Sequence, residues 1–243
     1  MTGMQNRALV IAIDGPSASG KSTIGKMIAA RLGLKYIDTG AMYRAIAWMA
    51  KQNNISWHNE NELVFLLETS KIIIGQENNQ TYIKIEDYLL KDQLRTQEIG
   101  KGASIISALK RVKLAMIEKQ RDIAKGGGIV MDGRDIGTYV FPDADIKFYI
   151  HANLDTRARR RYKELEETSK KPVFETIFQE IKDRDDMDMN RKTAPLKTAP
   201  DAISIDTTDL SIAETCDLML KEIDTLLNTS RDKHRPHEGH RGE

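Results

Sequence analysis

The residues best equipped for chemistry lie near the N-terminus, in the stretch Gly15-Pro16-Ser17-Ala18-Ser19-Gly20-Lys21-Ser22-Thr23. It satisfies the pattern G-x-x-x-x-G-K-[ST], and each residue type has a physical task. Gly15 and Gly20 open backbone angles closed to other residues, so successive N–H groups can turn inward around an anion. A helix starting at Lys21 adds the positive end of its dipole. Lys21 can reach the β- and γ-phosphates of a nucleoside triphosphate, and the Ser22 hydroxyl can ligate Mg²⁺. The pattern has force only between a strand and a helix, and both are present. An apolar run at 8–13 precedes it, and Ile24, Ile28 and Leu32 recur at helical spacing behind it. A plain Gly/Ser turn would need neither, so residues 15–23 are expected to bind a nucleoside triphosphate.

Three further clusters face the question of what accepts the phosphoryl group. Asp38-Thr39-Gly40-Ala41-Met42-Tyr43-Arg44 follows a short second strand, where ligands gather at the strand ends of a parallel sheet, and its Thr39 and Arg44 can hold a phosphate. Asp132-Gly133-Arg134-Asp135 ends another apolar strand. There Asp132 is placed to organise Mg²⁺ and Arg134 to face an acceptor phosphate, the competing reading of Arg134 being a surface ion pair with Asp135. Finally, Arg157, Arg159, Arg160 and Arg161 crowd one charged segment, and Arg184 and Arg191 end the next. Arg157 with Arg160 or Arg161 shares a helix face, which suits a lid closing over phosphates and excluding water.

The residue types present also limit the mechanism. Outside 229–243 the only histidines are His58 and His151, and neither neighbours an acid–base partner in sequence. Phosphorylating an alcohol calls for a base. A phosphate acceptor does not, because its second pKa of about 6 leaves it largely ionised at neutral pH. Many arginines without a base therefore favour a nucleoside monophosphate, with catalysis by positioning and charge neutralisation.

These residues must be positioned by a scaffold, and the 243-residue chain is long enough for one large α/β domain with inserts. A formal net charge of +1 excludes a generally basic nucleic-acid binder, so the cations serving phosphates must be concentrated at a site. The single cysteine, Cys216, excludes an intrachain disulfide framework and reads as a small core residue. No window approaches 18 consecutive apolar residues, and a cytoplasmic protein with no membrane partner is expected. Strands are predicted near residues 10, 36, 130, 148 and 204, alternating with helices at 21–32, 42–51, 107–125 and 211–227, as in a doubly wound parallel sheet. A helix at 62–68 and β-type runs at 71–75 and 81–86, around the polar stretch 76–80, interrupt that order. An antiparallel hairpin cannot belong to a parallel crossover, so it is placed in an inserted subdomain. The charged helices are predicted at 155–168 and 172–189, the second opened by Pro172. Residues 229–243 lack periodicity and are expected to be a disordered tail, in which His234, His237 and His240 are solvated rather than metal-bound.

Taken together, Gly15–Thr23, the segments 38–44 and 132–138, the turn Phe141-Pro142-Asp143-Ala144 and Ile181-Lys182-Asp183-Arg184-Asp185-Asp186 resemble the bacterial cytidylate kinases, over about 8–227. The resemblance implies an α/β fold: a P-loop nucleoside monophosphate kinase core of five parallel strands (1–52 and 106–228), an inserted acceptor-binding subdomain with a small antiparallel sheet (53–105), and a short helical lid (about 155–190). It implies transfer of the γ-phosphoryl group of ATP to CMP and dCMP, with Mg²⁺, by a monomer. Lys21, Arg134, Arg157, Arg160 and Arg184 would then be catalytic. Thr39, Arg44, Ser104, Lys113, Arg134, Asp135, Arg184, Asp188 and Arg191 would bind the acceptor. Among these, Arg44, Arg134 and Arg184 would serve the phosphate, Asp188 the ribose, and Ser104 and Asp135 the cytosine edge. Lys113 departs from the family's arginine at that place, and lysine lacks the planar fork. Thr39 stands for the usual serine and keeps the hydroxyl. The alternatives are a P-loop kinase of UMP or AMP, or a nucleotide-dependent switch, against which stands the absence of an Asn-Lys-x-Asp base reader.

Overall fold

A computed structural model describes residues 9–77, 80–167 and 172–232. Its centre is a five-stranded sheet of β1 (Val10–Asp14), β2 (Lys35–Asp38), β6 (Ile129–Gly133), β7 (Ile146–His151) and β8 (Ile203–Asp206). The strand order is β2-β6-β1-β7-β8, every neighbour pair is parallel, and all five expected strands are present. β1 and β6 are buried along their whole length, as central strands covered on both faces must be. Side chains alternate across β1. Val10 and Ala12 join the apolar cluster of α2 (Thr39–Gln52), α3 (Glu60–Thr69), α4 (Gln97–Ala108) and α5 (Lys110–Ile123), while Ile11 and Ile13 join the cluster of α1 (Lys21–Leu32) and α8 (Ile212–Asp232).

Register decides where the chemistry sits. Asp38 pairs with Asp132, and Asp14 with Gly133, so three carboxylates emerge side by side at the C-terminal edge of β2, β6 and β1. That edge, beside the reversal of strand order, is where open parallel sheets bind ligands.

The antiparallel insertion has one strand more than the sequence signal showed. β3 (Ile72–Glu77), β4 (Gln80–Ile85) and β5 (Tyr88–Leu90) form a separate sheet, and β5 is too short to alternate visibly. β3 and β4 extend into the stretch expected to be a turn, of which residues 78–79 lie outside the described ones. Ile83, Ile85 and Leu90 pack on Ala45 of α2 and on Leu94, which fastens this sheet over the helix that carries Thr39 and Arg44.

Four helix predictions change. The single helix expected at 107–125 is the end of α4 followed by α5, broken where Leu109 takes an extended conformation. Helical spacing cannot reveal such a one-residue break, because the apolar positions stay in phase on either side. α2 starts at Thr39 rather than 42, because the Asp38 carboxylate accepts from the Ala41 N–H at 2.8 Å and caps it. The charged pair is α6 (Leu154–Glu166) and α7 (Phe174–Asn190), with Pro172 preceding α7 rather than opening it. α8 continues to Asp232, past the expected stop at 227. The rest of the predicted tail, with His234, His237 and His240, lies outside the described residues. Among those described, no helix is long and apolar enough to cross a membrane.

Candidate active site

The phosphate loop owes its shape to close contact. Gly15 has φ +149°, and a Cβ there would stand 2.0 Å from the Ile150 carbonyl oxygen, so the loop leaves β1 pressed against β7. Gly20 (φ +92°) turns the chain into α1. Ala18 also adopts a positive φ of 57°, a strained setting for a residue with a Cβ and one of the marks of a binding loop. Within this curl the Lys21 ammonium is buried and donates to the Pro16 carbonyl and, at 3.1 Å, to Ser19 Oγ. Burial lowers its pKa and Arg134 adds to that, while Asp132, Asp14 and Asp185 oppose. A cation so placed lies among N–H donors with only neutral oxygens for hydrogen-bond partners, as a site for a polyanion requires.

The candidate metal position is at the start of α1. Ser22 Oγ donates to Asp132 Oδ2 at 2.8 Å, and the Tyr36 hydroxyl donates to Asp132 Oδ1 at 2.9 Å. Thr39 Oγ1 donates to the Asp132 carbonyl at 2.8 Å, tying β6 to α2. Burial, helped by neighbouring Asp38, raises the Asp132 carboxyl to about 6. Among the described residues no group of three or more His, Cys, Asp or Glu side chains could hold a metal ion. One carboxylate and one hydroxyl fit Mg²⁺, which keeps its waters and borrows phosphate oxygens, and do not fit an all-protein cage.

Asp14, which no motif singles out, has a part here. Its oxygens accept from the Ile136 and Gly137 N–H groups at 2.8 and 2.7 Å, holding the π-helical turn Ile136–Val140 to the end of β1. Burial raises its pKa to about 6 against the pull of those two hydrogen bonds. The only sequence signal was an acid ending an apolar strand.

Opposite the loop lies a cluster of cations and acids drawn from four elements. Arg134 donates from Nε to Asp188 Oδ2 at 2.8 Å and from Nη2 to Ser17 Oγ at 3.1 Å, so the alternative ion pair with Asp135 is not the one formed. Asp135 pairs instead with Lys113 at 2.7 Å, both fully buried, and with Arg191 at 3.4 Å. Both contacts use Oδ1. Among the described residues Oδ2 is buried with no hydrogen-bond partner, and so are the Tyr43 hydroxyl and Arg191 Nη2. The Lys113 ammonium stands 5.2 Å over the Tyr43 ring. Burial lowers the Lys113 pKa while Asp135 opposes the shift. Asp188 is held below the usual carboxylate range, burial notwithstanding, by Arg134, Arg184 and Arg191. Arg44 is paired with Asp38 at 2.9 Å. Ser104, half-buried on α4, donates to the Gly100 carbonyl.

Arg184 differs from all of these. Among the described residues its guanidinium has no hydrogen-bond or ion-pair partner. Burial, then the like charge of Arg134, lowers its pKa to about 10. A half-buried arginine held beside other arginines is set for an anion.

The run at 157–161 divides. Arg157 turns inward, donating to the Ala152 and Ser17 carbonyls at 2.9 Å and pairing with Asp185. Arg160 turns to the β8–α8 loop, bonding Thr207 and the Leu210 carbonyl. Arg159 and Arg161 pair with Asp155 and Glu164 at the surface. The structure thus gathers Lys21, Ser22, Thr39, Asp132, Arg134, Arg184 and Asp188 around one crevice, and turns Arg160 of α6 away to the β8–α8 loop. Missed from sequence were Asp14, Tyr36, Asp38 and Tyr43, whose roles depend on partners remote in the chain.

Comparison with known proteins adds an independent line. A family model for cytidylate kinase matches residues 11–225. The cytidylate kinase of Halalkalibacterium halodurans is 45% identical over 204 residues, which cover 84% of this chain and 92% of that one. The cytidylate kinase of Bacillus subtilis is 40% identical over 220 residues, covering 90% and 97%. Among solved structures, a gluconokinase from Sinorhizobium meliloti overlays with a TM-score of 0.50 at 12% identity, over 95% of this chain and 100% of that one, a likeness of fold alone.

Proposed function

The chain belongs to the cytidylate kinase family, and on that premise we propose how its residues divide the work. It transfers the γ-phosphoryl group of ATP to CMP, giving ADP and CDP. The division of roles rests on one observation above the rest, the guanidinium of Arg184, which among the described residues has no hydrogen-bond or ion-pair partner and feels the charges of Arg134 and Asp188.

In this proposal residues 15–23 wrap the triphosphate, and Lys21 leaves Pro16 and Ser19 to follow the γ-phosphoryl group as charge moves onto the leaving oxygen. Mg²⁺ held at Ser22 and Asp132 would supply neutralisation of the β- and γ-oxygens. Arg184, Arg134 and Arg44 orient the CMP phosphate, whose oxygen attacks phosphorus without surrendering a proton. The crevice accordingly needs no base, and neither His58 nor His151 is hydrogen-bonded to its charged groups. The insertion at 53–105 forms the acceptor-binding subdomain, with Ser104 at the base, and α6 and α7 form the lid. Asp188 and Arg191 lie by the ribose, and dCMP is accepted as well. The unpartnered Asp135 oxygen suits cytosine: it accepts from an exocyclic amine, whereas uracil would present a carbonyl to it. A cytoplasmic monomer completes the reading.

Coupled assays of ADP release with CMP, dCMP, UMP and AMP test the acceptor. CMP should exceed UMP in kcat/KM by about 100-fold, the scale of one mispaired buried polar group. No ADP with CMP would sink the assignment. Lys113→Arg should change the KM for CMP by about threefold or more and leave that for ATP unmoved, because the ammonium is paired with Asp135.

The acid limb follows from Asp132. Its carboxyl is charged above about 6 and neutral below, and a neutral carboxyl is a poor cation ligand. The Mg²⁺ concentration for half-maximal rate should therefore rise as pH falls from 7 to 5, approaching roughly tenfold per unit. In Asp132→Asn the same titration should move much less, and an equal shift in both proteins would count against the assignment.

A further inference from the structure

Asp185 does not belong to the acceptor cluster, yet it is among the most enclosed acids of the protein, its side chain 5% exposed. It projects from lid helix α7 onto the phosphate loop. Oδ1 accepts from the Ser17 N–H at 2.9 Å, and Oδ2 accepts from Arg157 on the other lid helix. The same Arg157 nitrogen donates to the Ser17 carbonyl at 2.9 Å, so one loop residue is gripped at both its backbone groups, one by each lid helix.

A carboxylate beside a loop built for a triphosphate is unfavourable by charge, and burial adds to the cost. Its place is understandable only if its position matters more than its charge, and Arg157 supplies the neutralising cation. Arg157 is correspondingly occupied, with donors directed at Ala152, Ser17 and Asp185, and so is poorly placed to serve phosphates. Next in sequence to Asp185 is the unpartnered Arg184, and one turn further is Asp188, which anchors Arg134. A rigid helix transmits the placement of Asp185 to both.

We propose that Asp185 is a positioning residue that docks the lid on the phosphate loop, with Arg157 as its counter-ion, and thereby aligns Arg184 with the reacting phosphates. This rests on the phosphoryl-transfer reading above. The reacting atoms never touch Asp185; it acts through Arg184.

The test is steady-state kinetics with ATP and CMP on Asp185→Asn, Asp185→Ala, Arg157→Ala and the double variant Arg157→Ala with Asp185→Ala. Both Asp185 variants should lose about 30- to 100-fold in kcat, with the KM for CMP changed less than about threefold, because the alignment matters in the transition state. The double variant should be no slower than the worse single one, since the two act as one unit. Asp185→Lys with Arg157→Glu, which reverses the pair, should recover at least part of the rate lost by Arg157→Glu alone. Asp185→Asn keeps the side-chain shape and decides the case if the alanine variant does not fold. A kcat within threefold of the unsubstituted protein, or losses that multiply in the double variant, would overturn the proposal. If the unsubstituted protein itself released no ADP with CMP, the phosphoryl-transfer reading would fall instead.

Discussion

Lys21→Met is expected to lower kcat by about 10³, or about 4 kcal/mol of transition-state stabilisation, while ATP still binds. The methylene stem can be replaced within the curl, since the loop's shape comes from Gly15 against β7 and from Gly20 at the start of α1. On the proposed reading, what is lost is the charge that follows the γ-phosphoryl group. In the free protein that ammonium is held by the Pro16 carbonyl and Ser19, neutral acceptors that a phosphate oxygen can outcompete. Most of the loss should therefore appear in kcat and less in nucleotide affinity. Single-turnover transfer and a separate ATP titration read the two quantities. A methionine variant turning over within tenfold of the parent would remove Lys21 from the mechanism.

Arg184→Leu should show opposite signs in two measurements. Its half-buried guanidinium feels the like charge of Arg134 and has no partner among the described residues, and burial with that charge lowers its pKa to about 10. In the free protein this is a cost, so an apolar side chain should leave Tm unchanged or raise it, by roughly 2–4 °C for each kcal/mol relieved. With the acceptor bound the account reverses. On the proposed reading the arginine gains a charge-assisted, bidentate contact to phosphate, and its loss should lower kcat/KM for CMP by about 10²–10³. Arg44 already has Asp38 at 2.9 Å, and Arg134 has Asp188, so neither should show the rise in Tm. Melting curves and initial rates on the same preparation decide the matter. A lower Tm with unchanged activity would make Arg184 a structural residue.

Two arginines of the run at 157–161 show the limits of sequence here. Spacing puts Arg157 and Arg160 on one helix face, and that is where they are. One ends against Ser17 and Asp185, the other against Thr207, because different loops meet the two halves of that face. Helix phase specifies a direction, not what stands in it. Lys113 is similar: the residue type raised a doubt about the base, and only the fold shows its ammonium spent on Asp135.

Local chemistry determined the glycine-bounded loop, the five parallel strands and the inserted hairpin, because those depend on neighbours within a few residues: a Gly that must turn, an apolar run that must be covered, a polar stretch that must return the chain. The resemblance carried by the motifs named the acceptor. Tertiary structure alone decided which charges are free. Arg44, Arg134, Arg157 and Arg184 are the same residue type, yet the first three are held by Asp38, Asp188 and Asp185, from distances in sequence of up to 54 residues, and the fourth by none. Among the described residues, whether a guanidinium is spent or available is a property of its partners in space, and register of β1, β2 and β6 and the docking of α7 choose those partners.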